Sequence, residues 1–382
     1  MKKFVFLLLI IPFLIPACKD DDAGGEPPVG QCNDLTDIAY DPSPYELPEM
    51  IGWDVKMIIP ADNPLTIEGV DLGHKLFFDP ILSVDSTISC SSCHDPKLSF
   101  NNQTALSAGV NGLTGRRSSM SLINAGFFEN GLFWDGRSPS LEDQALHPVT
   151  DPVEMLETWE NVEEKMQRHL TYPEEFRKAF GVECAEDITR DMVTKALAQY
   201  ERTLVSYNSR WEQKMLQGNT FPLLFSDDEL KGLFIYFDEL GGNAGETAGH
   251  CNHCHAGFGG LLTDNRYHNN NIEDVETYDD FPDPGLGGVT GKQSDIGKFR
   301  APTLRNIALT APYMHDGRFE TLAEVIEHYN SGGHQFDNSP TGSIPEQGLG
   351  LSEEEMKALE AFLHTLTDTT FFDDPHYLNP FN

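Results

Sequence analysis

Apolar residues recur along this chain with the spacing of helices. From Ile188 to Val205, the residues Met192, Val193, Ala196, Leu197, Tyr200 and Leu204 share one stripe, which predicts an amphipathic helix with an aliphatic and aromatic inner face. Ser352-Glu353-Glu354-Glu355 reads as a capping box, opening a helix that turns Met356, Leu359, Phe362, Leu363 and Leu366 inward. Asp227 to Glu239 predicts a shorter helix, stopped before Gly241-Gly242. No stretch sustains the alternation of a strand. The fold expected is mainly α, with long connections rich in glycine and proline.

The ends follow a different pattern. Met1-Lys2-Lys3 precedes an apolar run from Phe4 to Ala17, too short to span a bilayer comfortably and suited to a secretory signal over residues 1–17. Leu14-Ile15-Pro16-Ala17-Cys18 resembles a lipoprotein cleavage box, which predicts a mature chain anchored to a membrane by acyl chains on Cys18. An ordinary cleavage site that precedes a cysteine is the alternative. Lys19-Asp20-Asp21-Asp22 resembles a surface-export tag, and residues 18–46, rich in Asp, Gly and Pro, read as an acidic tether. The expected location is the cell envelope, either periplasmic or held at the outer membrane. About 335 residues remain, enough for two domains. Gly218, Pro222 and Ser226 interrupt the helical pattern and place the division at 47–217 and 218–382.

Each half carries one Cys-x-x-Cys-His, at Cys90-Ser91-Ser92-Cys93-His94 and at Cys251-Asn252-His253-Cys254-His255. In this pattern two thiols form thioethers to a haem and the histidine ligates its iron. A zinc site or a dithiol redox pair would not need a histidine directly after the second cysteine, twice. The motifs predict two covalently bound haems c and a redox protein. Four of the seven cysteines are thereby used and Cys18 takes lipid, leaving Cys32 and Cys184. Those two can close a disulfide in an oxidising compartment or remain two thiols. The net charge of −35 repels nucleic acid and suits a basic partner, or simply a solubilised surface.

Several further segments carry a family resemblance. Gly73-His74-Lys75-Leu76-Phe77-Phe78-Asp79-Pro80, Phe133-Trp134-Asp135-Gly136-Arg137, Leu141-Glu142-Asp143-Gln144-Ala145 and Pro152-Val153-Glu154-Met155 lie in the first half. Ala301-Pro302-Thr303-Leu304-Arg305-Asn306-Ile307 and Pro312-Tyr313-Met314-His315-Asp316-Gly317-Arg318 follow in the second. In this order the chain resembles the bacterial dihaem cytochrome c peroxidase and MauG superfamily over residues 64–367. The resemblance implies two cytochrome c-like domains side by side, with the first haem peroxidatic and the second exchanging electrons with a donor.

It also implies roles for particular residues. Glu154 corresponds to the carboxylate that moves a proton during peroxide cleavage, Gln144 to an orienting amide and Pro148 to a shaping residue of the same pocket. Trp134 corresponds to an indole between the haems. Many relatives block the first iron with a histidine, whose place Val110 takes here; no histidine lies between His94 and His147. The first haem is thus expected to be open, with His147 the alternative ligand. At the second iron Tyr329 stands where other relatives have methionine, and Met314, His328 and His334 compete with it. Relatives also hold a calcium ion between the domains. Its carbonyl ligands correspond to Thr310 and Pro312, but Ser118 replaces the asparagine. The function expected is reduction of hydrogen peroxide by a cytochrome c-like donor. A MauG-like oxidase acting on a partner protein and a plain electron carrier are the alternatives.

Overall fold

The computed structural model describes residues 32–50, 53, 55–215, 225–237, 249–256, 260–339 and 344–382. The expected signal, the lipidated Cys18, the start of the tether, Gly218, Pro222 and Gly241-Gly242 lie outside these residues. Among the described residues eleven α-helices run in chain order: α1 Ile67–Phe78, α2 Leu141–Gln144, α3 Leu146–Thr150, α4 Trp159–Arg168, α5 Tyr172–Phe180, α6 Arg190–Arg202, α7 Arg210–Met215, α8 Asp227–Phe237, α9 Gly287–Thr290, α10 Leu322–Ser331 and α11 Glu353–His364. Two-residue strands β1 Tyr267–His268 and β2 Phe299–Arg300 pair antiparallel, with Tyr267 opposite Arg300. No described helix is long and apolar enough to cross a membrane.

Each half is built on a helix pair brought together by a glycine. Thr66 caps α1 by accepting a hydrogen bond from the Gly69 amide at 3.0 Å. The buried face of α1 then lies on α6, where a Cβ at Gly73 would stand 1.9 Å from the Ala196 carbonyl oxygen. In the second half α8 meets α11 in the same way, and a Cβ at Gly232 would stand 1.9 Å from the Ala358 carbonyl. No side chain fits such a gap, so glycine permits backbone to touch backbone.

The helices expected over 188–205 and after Ser352 form with shorter ends. α6 buries Val193, Ala196, Leu197 and Tyr200, while Met192 is half-buried and Leu204 lies just beyond the helix. Ser352 and Glu355 make the expected reciprocal cap of α11, which buries Leu359, Phe362 and Leu363. The apolar residues gather in two large clusters, one built from α1, α4, α5 and α6 and the other from α8, α10 and α11.

Two segments depart from the expected division of the chain. Trp211, six residues before the expected boundary, already packs in the second cluster. The C-terminal tail returns to the first: Phe372 and Tyr377 pack on that cluster, and His74 Nε2 lies 2.7 Å from the Leu378 carbonyl. Tail residues expected within 218–382 therefore complete the first half, because His376 and Tyr377 find aromatic partners there. Cys32 and Cys184 form a disulfide, which ties the tether to the segment after α5. The bond sits beside an Asp34–Cys184 bridge and a 2.8 Å bond from the Leu35 amide to the Glu183 carbonyl.

Candidate functional site

The first Cys-x-x-Cys-His opens as a tight turn over Cys90–Ser92, with the His94 amide donating to the Cys90 carbonyl at 3.0 Å. Both thiols are free, and burial pushes them above the usual thiol range. A redox dithiol needs the opposite, a thiol lowered by nearby positive charge. His94 Nδ1 lies 2.9 Å from the Phe100 carbonyl. As donor there it orients the ring and leaves Nε2 with the free lone pair. Burial also holds the imidazole below its ordinary range, so it is neutral and able to ligate a metal. These groups line a cavity with about 1440 Å³ of unfilled space, mouth included, walled by Phe77, Phe128, Leu132, Leu141 and Leu197. Two protonated thiols and a neutral imidazole on the wall of an apolar cavity suit a c-type haem.

Glu154, Gln144, Pro148 and Trp134 all line this cavity. Glu154 has exposed surface there, yet the protein packed around it withdraws water and, with Asp151, pushes its carboxyl up to about 6 against the pull of Arg137. Gln144, half-buried at the end of α2, makes no side-chain hydrogen bond among the described residues. Val110 is held outside the wall by donating its amide to the Glu154 carbonyl at 2.9 Å. His94 is the imidazole among the lining residues. His147 is exposed and turned toward Asp143, 3.5 Å away, outside the lining.

The second motif builds a similar cavity, with about 1300 Å³ of unfilled space and an apolar wall that includes Leu322, Ile326, Leu359 and Leu363. His255 Nδ1 lies 3.0 Å from the Pro302 carbonyl, and burial pushes the ring down to about 4. Burial pushes the Cys251 thiol up to about 12. Tyr329 and Met314 both line this cavity, whereas His328 and His334 do not. The Met314 sulfur already accepts from the Asn270 amide at 3.2 Å. His328 Nε2 is bound to the Asn270 carbonyl at 2.8 Å. Burial raises the Tyr329 phenol above its ordinary range, so a bound ferric iron would have to displace its proton. Trp134 lines both cavities, and its indole donates to the Ser118 carbonyl at 2.9 Å.

Sequence comparison agrees with this geometry. A family model described as di-haem cytochrome c peroxidase matches residues 67–220. The cytochrome c551 peroxidase of Nitrosomonas europaea is 33% identical over 325 residues, covering 84% of this chain and 85% of that protein. The chain belongs to the di-haem cytochrome c peroxidase family. The methylamine utilization protein MauG of Methylorubrum extorquens is likewise 33% identical, over 80% of each chain. A crystal structure of a MauG-like protein associated with microbial copper homeostasis superposes with a TM-score of 0.76 at 32% identity. It covers 90% of this chain and is itself covered completely, at 100%. Di-haem relatives thus span both names.

Within this di-haem protein the two cavities share a repeated segment that sequence reading overlooked. Adding 181 to positions 132–148 gives 313–329. Leu132 bridges Ser138 as Tyr313 bridges Phe319. Phe133 and Met314 both take positive φ, at 63° and 75°, as do Gly136 and Gly317, at 73° and 68°. Ser140 caps α2 and Thr321 caps α10. The register sets Pro148 against Tyr329. A phenol oxygen can ligate iron, and a proline side chain cannot, which gives the two cavities different chemistry from one backbone plan.

The residues named for calcium, Ser118, Thr310 and Pro312, line one small cavity together with Asn101. Ser118 Oγ donates to the Met314 carbonyl at 3.0 Å, and the Asn101 amide donates to the Thr310 carbonyl at 2.9 Å. The small cavity between them includes Pro312 and Arg305 in its wall but no carboxylate. Calcium wants six to eight oxygens, usually with anionic ones among them.

Three further groups at the cavities escaped the sequence reading. Arg117 bridges Asp283, at 2.7 Å, and Asp135, at 2.6 Å, on the wall of the first cavity. Glu201 also lines it with no partner for Oε2 among the described residues, and burial pushes its carboxyl up to about 8. Its neighbour Arg202 is committed to Glu142 at 2.8 Å. Arg300 lines both cavities. Its place directly before Ala301-Pro302 was the available signal.

Proposed function

We propose that this member of the family reduces hydrogen peroxide to water in its first cavity. The two electrons come from a cytochrome c-like donor and enter through the second. The overall step consumes one peroxide, two electrons and two protons and releases two waters. A haem bound at His94 supplies the iron that delivers electrons to the peroxide O–O bond. The Glu154 carboxylate takes a proton from the near oxygen and returns it to the leaving oxygen. Gln144, with its side-chain amide uncommitted, orients the bound oxygen species. Pro148 shapes the pocket without offering a ligand, and Trp134 carries electrons from one cavity to the other. The observation that carries this reading is one cavity wall holding His94, Glu154 and Gln144 with no second imidazole among the described residues.

Tyr329 favours a second reading. A phenolate is a hard donor that stabilises oxidised iron and lowers its potential, unlike the methionine of an easily reduced cytochrome. On that reading the electrons come from side chains of a partner protein, as a MauG-like oxidase would draw them. Rapid mixing of the oxidised protein with peroxide, followed by reduced cytochrome c, separates the two. Turnover of the cytochrome supports the peroxidase. A peroxide-oxidised state that persists beside the cytochrome and decays only with a protein partner supports the oxidase.

The Cys32–Cys184 disulfide supports an oxidising compartment, in keeping with an exported protein held at the envelope by lipid on Cys18. Labelling with a fatty-acid analogue tests this. Label lost in Cys18→Ser supports the anchor, and no label on the parent protein would remove it.

A further inference from the structure

Arg300 is buried to 2% exposure in β2, yet it has no carboxylate partner among the described residues. Its guanidinium donates to neutral oxygens only: the Asn265 side chain, the Gly131 carbonyl and the Tyr267 hydroxyl at 2.7 Å. It lies over the rings of Phe128 and Tyr267, at 5.0 and 5.1 Å. Its Nε is buried with no hydrogen-bond acceptor among the described residues. The nearby acids are committed elsewhere, Asp135 to Arg117 and Arg137 and Asp264 to His268. Burying a cation without a counter-charge is unfavourable, so the fold is built to receive an anion beside it.

The position identifies that anion. Arg300 lines the first cavity and the second, and its backbone amide donates to the Trp134 carbonyl at 2.9 Å. Both cavities are read above as haem sites, and each haem brings two propionate carboxylates. We infer that Arg300 is the anion anchor shared by the two cavities, taking one propionate from the haem in each. The anchor sits beside the indole that joins the cavities. A fixed cation there stabilises the reduced, less positive state of both irons, so it raises both potentials together.

This inference rests on the haem reading, and the test keeps the two apart. Haem content is first measured on the purified full chain; fewer than two haems in the parent protein would fail the haem reading itself. Spectroelectrochemical titration of the two-haem protein is then compared with Arg300→Gln and Arg300→Lys. Both midpoint potentials fall in the glutamine variant and return toward the parent values in the lysine variant. The anchor is overturned if only one potential moves, if neither does, or if lysine falls as far as glutamine. Should the glutamine variant fail to fold, an experimental structure of the haem-loaded parent decides. A propionate from each haem within hydrogen-bond reach of the Arg300 guanidinium upholds the inference, and any other arrangement overturns it.

Discussion

At the scale of single residues, the two cavities differ less in wall than in the few groups that carry protons and ligands. On the proposed mechanism Glu154 must be ionised before it accepts a proton from peroxide. Its carboxyl is pushed up to about 6, by burial first and then by Asp151. The bimolecular rate with peroxide is therefore expected to fall as pH drops through about 6. Glu154→Gln should lower that rate by about 10²–10⁴-fold and remove this pH limb while haem content stays unchanged. Stopped-flow mixing between pH 5 and 8 checks it; an unchanged profile in the variant would release Glu154 from the role. Tyr329→Phe is expected to leave a high-spin signal from the first haem intact and to alter a low-spin signal from the second. Low-temperature electron paramagnetic resonance reads both. Two low-spin signals untouched by the substitution would exclude the phenol as ligand.

At the scale of elements, close helix approach carries each half. Gly73 lets α1 meet the Ala196 carbonyl of α6, and Gly232 lets α8 meet the Ala358 carbonyl of α11. An added methyl must part the helices, since the obstacle is backbone and cannot rotate away. Gly73→Ala and Gly232→Ala are each expected to cost about 1–3 kcal/mol of stability, read from urea unfolding. Because α6 also supplies Leu197 and Glu201 to the first cavity, Gly73→Ala should disturb the first haem more than the second. Equal spectral change at both haems would argue against that local coupling. The helices themselves were legible, since stripe and cap announce them. The repeat joining α2–α3 to α10 left a short signal, Asp135-Gly136-Arg137 recurring as Asp316-Gly317-Arg318, while its bridges, caps and backbone angles come from the fold. Across it, Trp134 meets His315 and Pro148 meets Tyr329.

At the scale of the whole molecule, two tethers close the chain on itself. The Cys32–Cys184 disulfide spans 152 residues, and disulfides typically stabilise a fold by about 2–4 kcal/mol. Reduction, or Cys184→Ser, is expected to lower the melting temperature of the haem-loaded protein while peroxide reactivity survives. Scanning calorimetry with and without reductant measures it, and coincident melts would show that the bond only pins the tether. The C-terminal tail is the second tether, packing His376 against His74, Tyr200 and Tyr45 of the first half. The disulfide was one of two outcomes left open for Cys32 and Cys184, and the return of the tail was not predictable. Two cysteines 152 positions apart announce no proximity, and a short aromatic tail carries no address.

The candidate chemistry of this protein was largely legible in its sequence, because a c-type haem site would demand two thiols and a histidine at fixed spacing. The helical class was equally plain, since a buried stripe must recur at the helical period. Glu154, Gln144, Pro148 and Trp134 were named from flanking motifs, and folding then brought all four to one cavity wall. Tertiary structure alone decided which of the rival ligands reach the second cavity, admitting Tyr329 and Met314 and turning His328 and His334 away. It alone committed the Thr310 carbonyl to Asn101 and left Arg300 buried between two cavities without a counter-charge. Sequence lists donors and acceptors, whereas their pairing depends on which distant segments meet. That meeting is set by packing and by the loss of water at the contact.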